Sequence, residues 1–187
     1  MAWQGPPSQG RFGPMQQDAL TVRTALAEDF NAVDALLGRS YPALLKADYL
    51  PSVLVTAVPL ISKAQPRLVM SGTYFVVEDS AGDIVGAGGW TRVAPPGFGE
   101  EAPGIAHIRH VVSDHRRLRA GIGRRLMTHI FRTAEVAGIR QFECFSTFTA
   151  VPFYAACGFS TIGPMTVALR GGIDFPAVHM RRFLKPD

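Results

Sequence analysis

Cysteine is scarce: Cys144 and Cys157 are the only two in 187 residues, and they lie far apart. That excludes a disulfide framework and a cysteine-built zinc site, and makes a reducing cytoplasm the expected compartment. Long apolar runs are missing too, so no membrane-spanning helix is expected. The N-terminal stretch "MAWQGPPSQGRFGPMQQDA" lacks the apolar core of a secretory signal. Histidines 115, 129 and 179 are scattered, with no His-Glu-x-x-His, so no metal site is expected. Charge of one sign barely dominates: 19 Lys and Arg against 15 Asp and Glu give a net +4. Such an excess tolerates an anionic ligand without demanding nucleic acid. The arginines gather in one turn, and neither zinc-finger spacing nor a helix-turn-helix pattern is present, so no nucleic-acid partner is expected.

What is present is an ordinary globular balance, 47% hydrophobic and 18% charged, in a length that suits one domain. Residues 1–19, rich in Gly, Pro and Gln, are expected to be a disordered tail or an expression remnant, and residues 20–187 a single domain. "LTVRTA" predicts a short strand. "AEDFNAVDALLGRS" predicts a helix, with Phe30, Val33, Leu36 and Leu37 at helical spacing and Gly38 at its end. Tyr41 to Ala64 is helical in pattern, with breaks at Pro51 and Pro59. "GTYFVVEDSAGDIVGAGGWTRV" is a hairpin turned at "DSAGD". "APPGFGEEAPG" is a loop and "IAHIRHVVS" a strand. From Gly121 to Ala137, Ile122, Leu126, Ile130 and Ala134 repeat every four residues, and Gly138 supplies the stop. "IRQFECFSTF" predicts a strand, "TAVPFYAACG" a short helix, and "FPAVHMRRFL" a last strand. The order β-α-α-β-β-β-α-β-α-β mixes antiparallel pairing with one parallel crossover, an α/β (α+β) sheet with helices on both faces.

"RRLRAGIGRRLM", Arg116 to Met127, joins a strand to a helix. The first N–H groups of a helix lack intrahelical partners, and its dipole adds positive charge there. Gly121 and Gly123 let backbone approach a ligand, so the turn suits a phosphate, reinforced by Arg116, Arg117, Arg119, Arg124 and Arg125. On this loop alone, a plain strand-to-helix turn with solvated arginines stands as the alternative. There is no Gly-Lys-Ser/Thr, and Leu126 stands where a dinucleotide fingerprint has its third Gly.

Two segments together resemble a family. "LRAGIG", Leu118 to Gly123, is similar to the Arg/Gln-x-x-Gly-x-Gly/Ala pyrophosphate loop of the GCN5-related N-acetyltransferases, and "FYAACGF", Phe153 to Phe159, to their aromatic-Tyr-x-x-x-Gly-Phe segment. The resemblance spans about Leu20 to Leu184. It implies a three-layer αβα fold around a mixed, mostly antiparallel sheet with a splayed parallel strand pair. It also implies acetyl-CoA as acetyl donor and transfer to a primary amine of a small molecule by direct attack in a ternary complex. A non-catalytic acyl-CoA-binding sensor or docking module, and an acetyltransferase for a protein amine, are the alternatives.

The resemblance further implies that the backbone of Val111, Val112 and Ser113 meets the pantetheine arm. The loop residues Arg117, Leu118, Arg119, Ala120, Gly121, Ile122, Gly123 and Arg124 would hold the pyrophosphate, with Thr147 and Phe153 completing the cofactor site. Leu118 and Thr147 depart from the family's usual Arg/Gln and Asn. Tyr154 would protonate the leaving thiolate. His107 stands at a spacing used for a base on the preceding strand, and strand alternation puts it with Arg109 on one face and His110 on the other. His110 and Glu78 are weaker bases. Tyr41, Trp90, Glu100 and Glu101 are candidates for the acceptor pocket. Cys157 suits a packed thiol, and Ser113-Asp114-His115, being adjacent, cannot converge as a triad. By analogy of fold, the C-terminal strands are candidates for pairing across a homodimer.

Overall fold

The computed structural model describes residues 19–95 and 97–184. The expected tail therefore lies outside the described residues, apart from an exposed Ala19. The chain runs β1 (Thr21–Thr24), α1 (Phe30–Leu45), α2 (Pro51–Thr56), α3 (Val58–Ile61), α4 (Pro66–Val69), β2 (Tyr74–Glu78) and β3 (Ile84–Thr91). It continues through β4 (Ile105–Ser113), α5 (Ile122–Val136), β5 (Gln141–Ser146), α6 (Val151–Ala156), β6 (Ser160–Leu169) and β7 (Ile173–Phe183). The strands form one sheet in the order β1-β2-β3-β4-β5-β7-β6. Every pairing is antiparallel except β4 with β5.

Helices cover both faces, as the fold class predicts. The apolar stripe of α5, Ile122, Leu126, Met127, Ile130 and Ala134, packs with Phe142, Cys144 and Tyr154 on one face. On the other, Val33, Leu36 and Leu37 of α1 meet Leu68 and Val69 of α4 and Val112 of β4. Farther along, Leu45, Tyr49 and Val58 pack on Phe175 and Ala177 of β7.

Two expectations are corrected. Gly38 does not end α1, which continues through Pro42 to Leu45. Burial of Ser40 and Leu45 and packing of Tyr41 hold the extra turns against the cost of an interior proline. The breaks expected at Pro51 and Pro59 are found: each proline stands in the first turn of a new helix, α2 or α3, where its missing N–H bonds nothing anyway. The strand β6 was not anticipated, because Gly163-Pro164 signals a break. As the sheet's edge strand it can spare a proline N–H, and it shifts register between Thr161 and Gly163.

The parallel pair is short. β4 and β5 are in register only over Ile105–His107 and Gln141–Glu143. Beyond that, β4 follows β3 to Ser113 while β5 follows β7 to Ser146. A wedge thus opens between the two strands, and the upper part of β4 has an edge that β5 does not pair.

Asp114 anchors the top of β4. It is 1% exposed, and its carboxylate accepts from Arg116 Nη2 at 2.6 Å, Arg39 Nη2 at 3.1 Å and the Arg116 backbone N–H at 3.0 Å. These bonds, that of the Arg116 side chain foremost, hold its pKa far below the usual carboxylate range. A carboxylate depressed on folding stabilises above its unfolded pKa, and that stability fades as pH falls through the acid range. Asp114→Asn is therefore expected to lower Tm at pH 7 by about 5 °C or more, because it strands paired guanidinium groups. The gap between variant and wild type should narrow in scans toward pH 3, and a constant gap would contradict the ion-pair account.

Candidate active site

The strand-to-helix loop begins with one tight turn, His115–Arg117, capped by Asp114. Arg119 takes φ 66° and Gly121 takes φ 81°, two left-handed residues that swing the chain into α5. Ile122, Gly123 and Arg124 are the first residues of α5, and their N–H groups have no acceptor within the helix. Gly123 is there for closeness: a Cβ on it would lie 2.9 Å from the Phe153 ring. Ser113 Oγ lies 3.4 Å from the same point. The end of β4, the start of α5 and the start of α6 thus converge around Gly123.

The five arginines divide. Arg116 is bonded to Asp114, and Arg117 Nη1 lies 2.7 Å from Asp79. Arg125 donates to the Leu20 carbonyl at 3.3 Å. Arg119 and Arg124 are exposed beside the helix start. Leu118 turns outward, 57% exposed, in extended conformation.

Tyr154 comes from α6 and is 6% exposed. Phe153 and Phe159 pack edge-on against its ring, at centroid distances of 5.3 and 5.4 Å. Its hydroxyl lies near the thiol of Cys144 on β5. Tyr41 of α1 approaches it from the opposite face of the sheet. Burial pushes both phenols above 10 and both thiols, Cys144 and Cys157, above 9. Thr147 caps the turn before α6, its hydroxyl accepting the Ala150 N–H at 3.3 Å.

His107 stands at the foot of the wedge and lines a cleft of about 460 Å³. Around it are Glu143 and Phe145 of β5, His179 of β7, Met165 of β6, and Phe98 and Glu100 of the loop before β4. Glu143 Oε2 lies 2.5 Å from His179 Nε2, and Oε1 accepts from Arg181 Nε at 2.7 Å and Gln141 Nε2 at 2.6 Å. Burial lowers the pKa of His107, Arg109 and His179 lower it further, and Glu143 opposes them. Its Nδ1 is buried with no hydrogen-bond partner.

Glu143 and His179 escaped the sequence reading. Their only trace was the alternation of charged with apolar residues in "QFECFS" and "VHMRRF". Other candidates fall elsewhere. Trp90 is buried beneath α5, its indole N–H donating to Thr133 Oγ1 at 3.2 Å, so it does not line the cleft. Glu101 is exposed and does not line the cleft either, whereas Glu100 does. Glu78 is held by Arg23 at 2.5 Å on the far edge of the sheet, which removes it as a base.

His110 is not simply opposite His107. β4 carries one extra residue against Gly88, and His110 takes φ 45°. The bulge turns its ring to Gln65, beside α4, on the α1 face of the sheet (Nε2 to Nε2, 3.4 Å). There burial and Arg109 push it down to about 4.

A model of the GNAT acetyltransferase domain matches residues 47–182. The chain belongs to the GNAT acetyltransferase family. As a GNAT acetyltransferase it is an acyltransferase that uses acetyl-CoA. No curated protein matches it significantly in sequence. Among solved structures, it is similar to a GCN5-related N-acetyltransferase from Rhodopseudomonas palustris, with 19% identity and TM-score 0.73 over 92% of this chain and 100% of that one. A PaiA N-acetyltransferase from Thermoplasma acidophilum, in complex with coenzyme A, aligns at 11% identity and TM-score 0.64 over 89% and 99%. N-acetylglutamate synthase from Neisseria gonorrhoeae, complexed with coenzyme A and N-acetyl-glutamate, aligns at 17% identity and TM-score 0.58 over 90% of this chain and 36% of that one. The wedge and the glycine-lined helix start fit a long ligand with phosphates at one end: unpaired β4 edge, bare amides and no Cβ at Gly123. Among the described residues, no helix is long and apolar enough to cross a membrane.

Proposed function

We propose that this GNAT acetyltransferase moves the acetyl group of acetyl-CoA to a primary amine of a small molecule, with both substrates bound at once. The unpaired edge of β4 beside the start of α5, with α6 packed on Gly123 through Phe153, carries this reading. The backbone of Val111, Val112 and Ser113 would bind the pantetheine arm. The amides of Ile122, Gly123 and Arg124, with the αL turn at Gly121 and the cations Arg119 and Arg124, would hold the pyrophosphate. Arg117 reinforces the loop through Asp79. Leu118 and Ala120 serve by backbone, and Phe153 packs the loop from α6. Thr147 keeps a hydroxyl hydrogen to donate while it caps its turn.

Acetyl-CoA supplies an activated thioester. The amine nitrogen forms a bond to the acetyl carbon, the C–S bond breaks, the amine's proton passes to His107, and Tyr154 gives its proton to the thiolate. A phenol held above its usual pKa is protonated throughout the working range, as a donor must be. No acyl-enzyme is needed, and the raised pKa of both cysteines makes them poor nucleophiles. The bounded cleft at His107 suits a small acceptor, and the gonococcal synthase holds such a product on the same fold.

The test is release of CoA thiol over a panel of small amines, wild type against Tyr154→Phe. Binding of acetyl-CoA without release for any amine would point to a sensor instead. The base assignment has its own test. A lowered histidine pKa keeps the ring neutral below pH 6.5, so the acid limb of kcat/KM is expected below that value. His107→Gln should remove the limb; a limb that persists there would exclude His107 as the base.

A further inference from the structure

Burying a guanidinium is costly, and buried charges are normally paired. Arg109 departs from that pattern. It is half-buried on β4, and among the described residues its one hydrogen bond runs from Nη1 to the neutral Thr91 Oγ1 at 3.0 Å. Thr91 is the cross-strand partner of His107, so the guanidinium lies back along the strand beside that imidazole. Burial pushes its pKa down, and among the described residues no acidic side chain forms an ion pair with it. Elsewhere the contrast is plain: Arg116 sits on Asp114, Arg181 on Glu143, and Arg23 on both Asp29 and Glu78. The groups that feel Arg109 are His107 and His110, both pushed toward neutrality, each with an Nδ1 that bonds nothing.

The guanidinium therefore lies beside His107, adjoining the cleft rather than among its lining residues, with donors to spare. The cleft itself has Glu143, the cross-strand partner of His107 on β5, and Glu100; Phe98, Phe145 and Met165 supply apolar wall. Alternate residues on a strand stand about 7 Å apart. That span, shortened by the backward reach of Arg109, suits an amine and a carboxylate on one carbon.

Resting on the acetyl-transfer reading above, we propose that the acceptor is an α-amino acid with an apolar side chain: Arg109 holds its carboxylate, its amine lies beside His107, and its side chain lies against Phe98, Phe145 and Met165. A protein N-terminus has no free carboxylate at that carbon and forgoes the Arg109 contact.

The test measures thiol release for matched pairs, L-phenylalanine against phenethylamine and phenylalaninamide, and L-leucine against isoamylamine. Wild type is expected to favour the acid of each pair by about tenfold or more in kcat/KM. Arg109→Gln should raise KM for the acids about tenfold more than for the amines, and Arg109→Lys should restore part of the difference. The amines, assayed in parallel, report whether each variant is folded. Three results overturn the proposal: equal losses on acids and amines, a wild-type preference for the amines, or no turnover of any acid by protein that binds acetyl-CoA. Failure to bind acetyl-CoA in the calorimeter would overturn the acetyl-transfer reading beneath it, and this proposal with it.

Discussion

Tyr154→Phe is expected to keep acetyl-CoA affinity and lose turnover by about tenfold or more, roughly 1.4 kcal/mol of barrier. The hydroxyl is the only group removed, and the ring keeps its edge contacts with Phe153 and Phe159. Phe also leaves the pocket its shape, so the fold should not suffer. What goes is the proton donor at the wedge. A departing thiolate must then take its proton from water, which the buried setting of Tyr154 restricts. The loss should appear in kcat, with KM for acetyl-CoA little changed, since the proposed bond strengthens only as the sulfur gains charge. Unchanged kcat would remove Tyr154 from the chemistry and leave it as a packing residue.

Gly123→Val is expected to weaken acetyl-CoA binding by about a hundredfold or more, roughly 2.7 kcal/mol, in a calorimetric titration. The first new atom would stand 2.9 Å from the Phe153 ring, closer than carbon atoms pack. The Phe153 ring must give way, and it stands on α6 next to Tyr154. The branched methyls would also cover the amides proposed to receive the pyrophosphate. Far-ultraviolet circular dichroism should stay close to wild type, because α5 keeps its buried stripe. Undiminished binding by a folded Gly123→Val protein would mean that the phosphates rest elsewhere.

The local elements were legible because each follows from a pattern within one segment. The stripe of α5 repeats at helical spacing, and the helix found spans Ile122–Val136. "IAHIRHVVS" is β4 residue for residue. The hairpin around "DSAGD" pairs Val76 with Ala87 as its turn residues imply. The glycine loop and the aromatic-Tyr segment each stand at an element boundary, and boundaries are marked by Gly and by caps in the sequence itself.

Tertiary structure decided what depends on neighbours far apart in the chain. Nothing in "QFECFS" says that Glu143 will meet His179 and Arg181; that follows from β7 pairing with β5. Nothing near Arg117 says that Asp79 will take it, and nothing near Asp114 says that Arg39 will join Arg116 on its carboxylate. The face of His110 turned on one inserted residue opposite Gly88, and Trp90 went beneath α5 rather than into the cleft. The Gly-Pro in β6 became tolerable once its strand lay at the edge. Periodicity encodes which face of an element is apolar. Which polar groups share a cleft, and which charges are already neutralised, is set only when the strands find their partners, since the pairing energy is not local to any one of them.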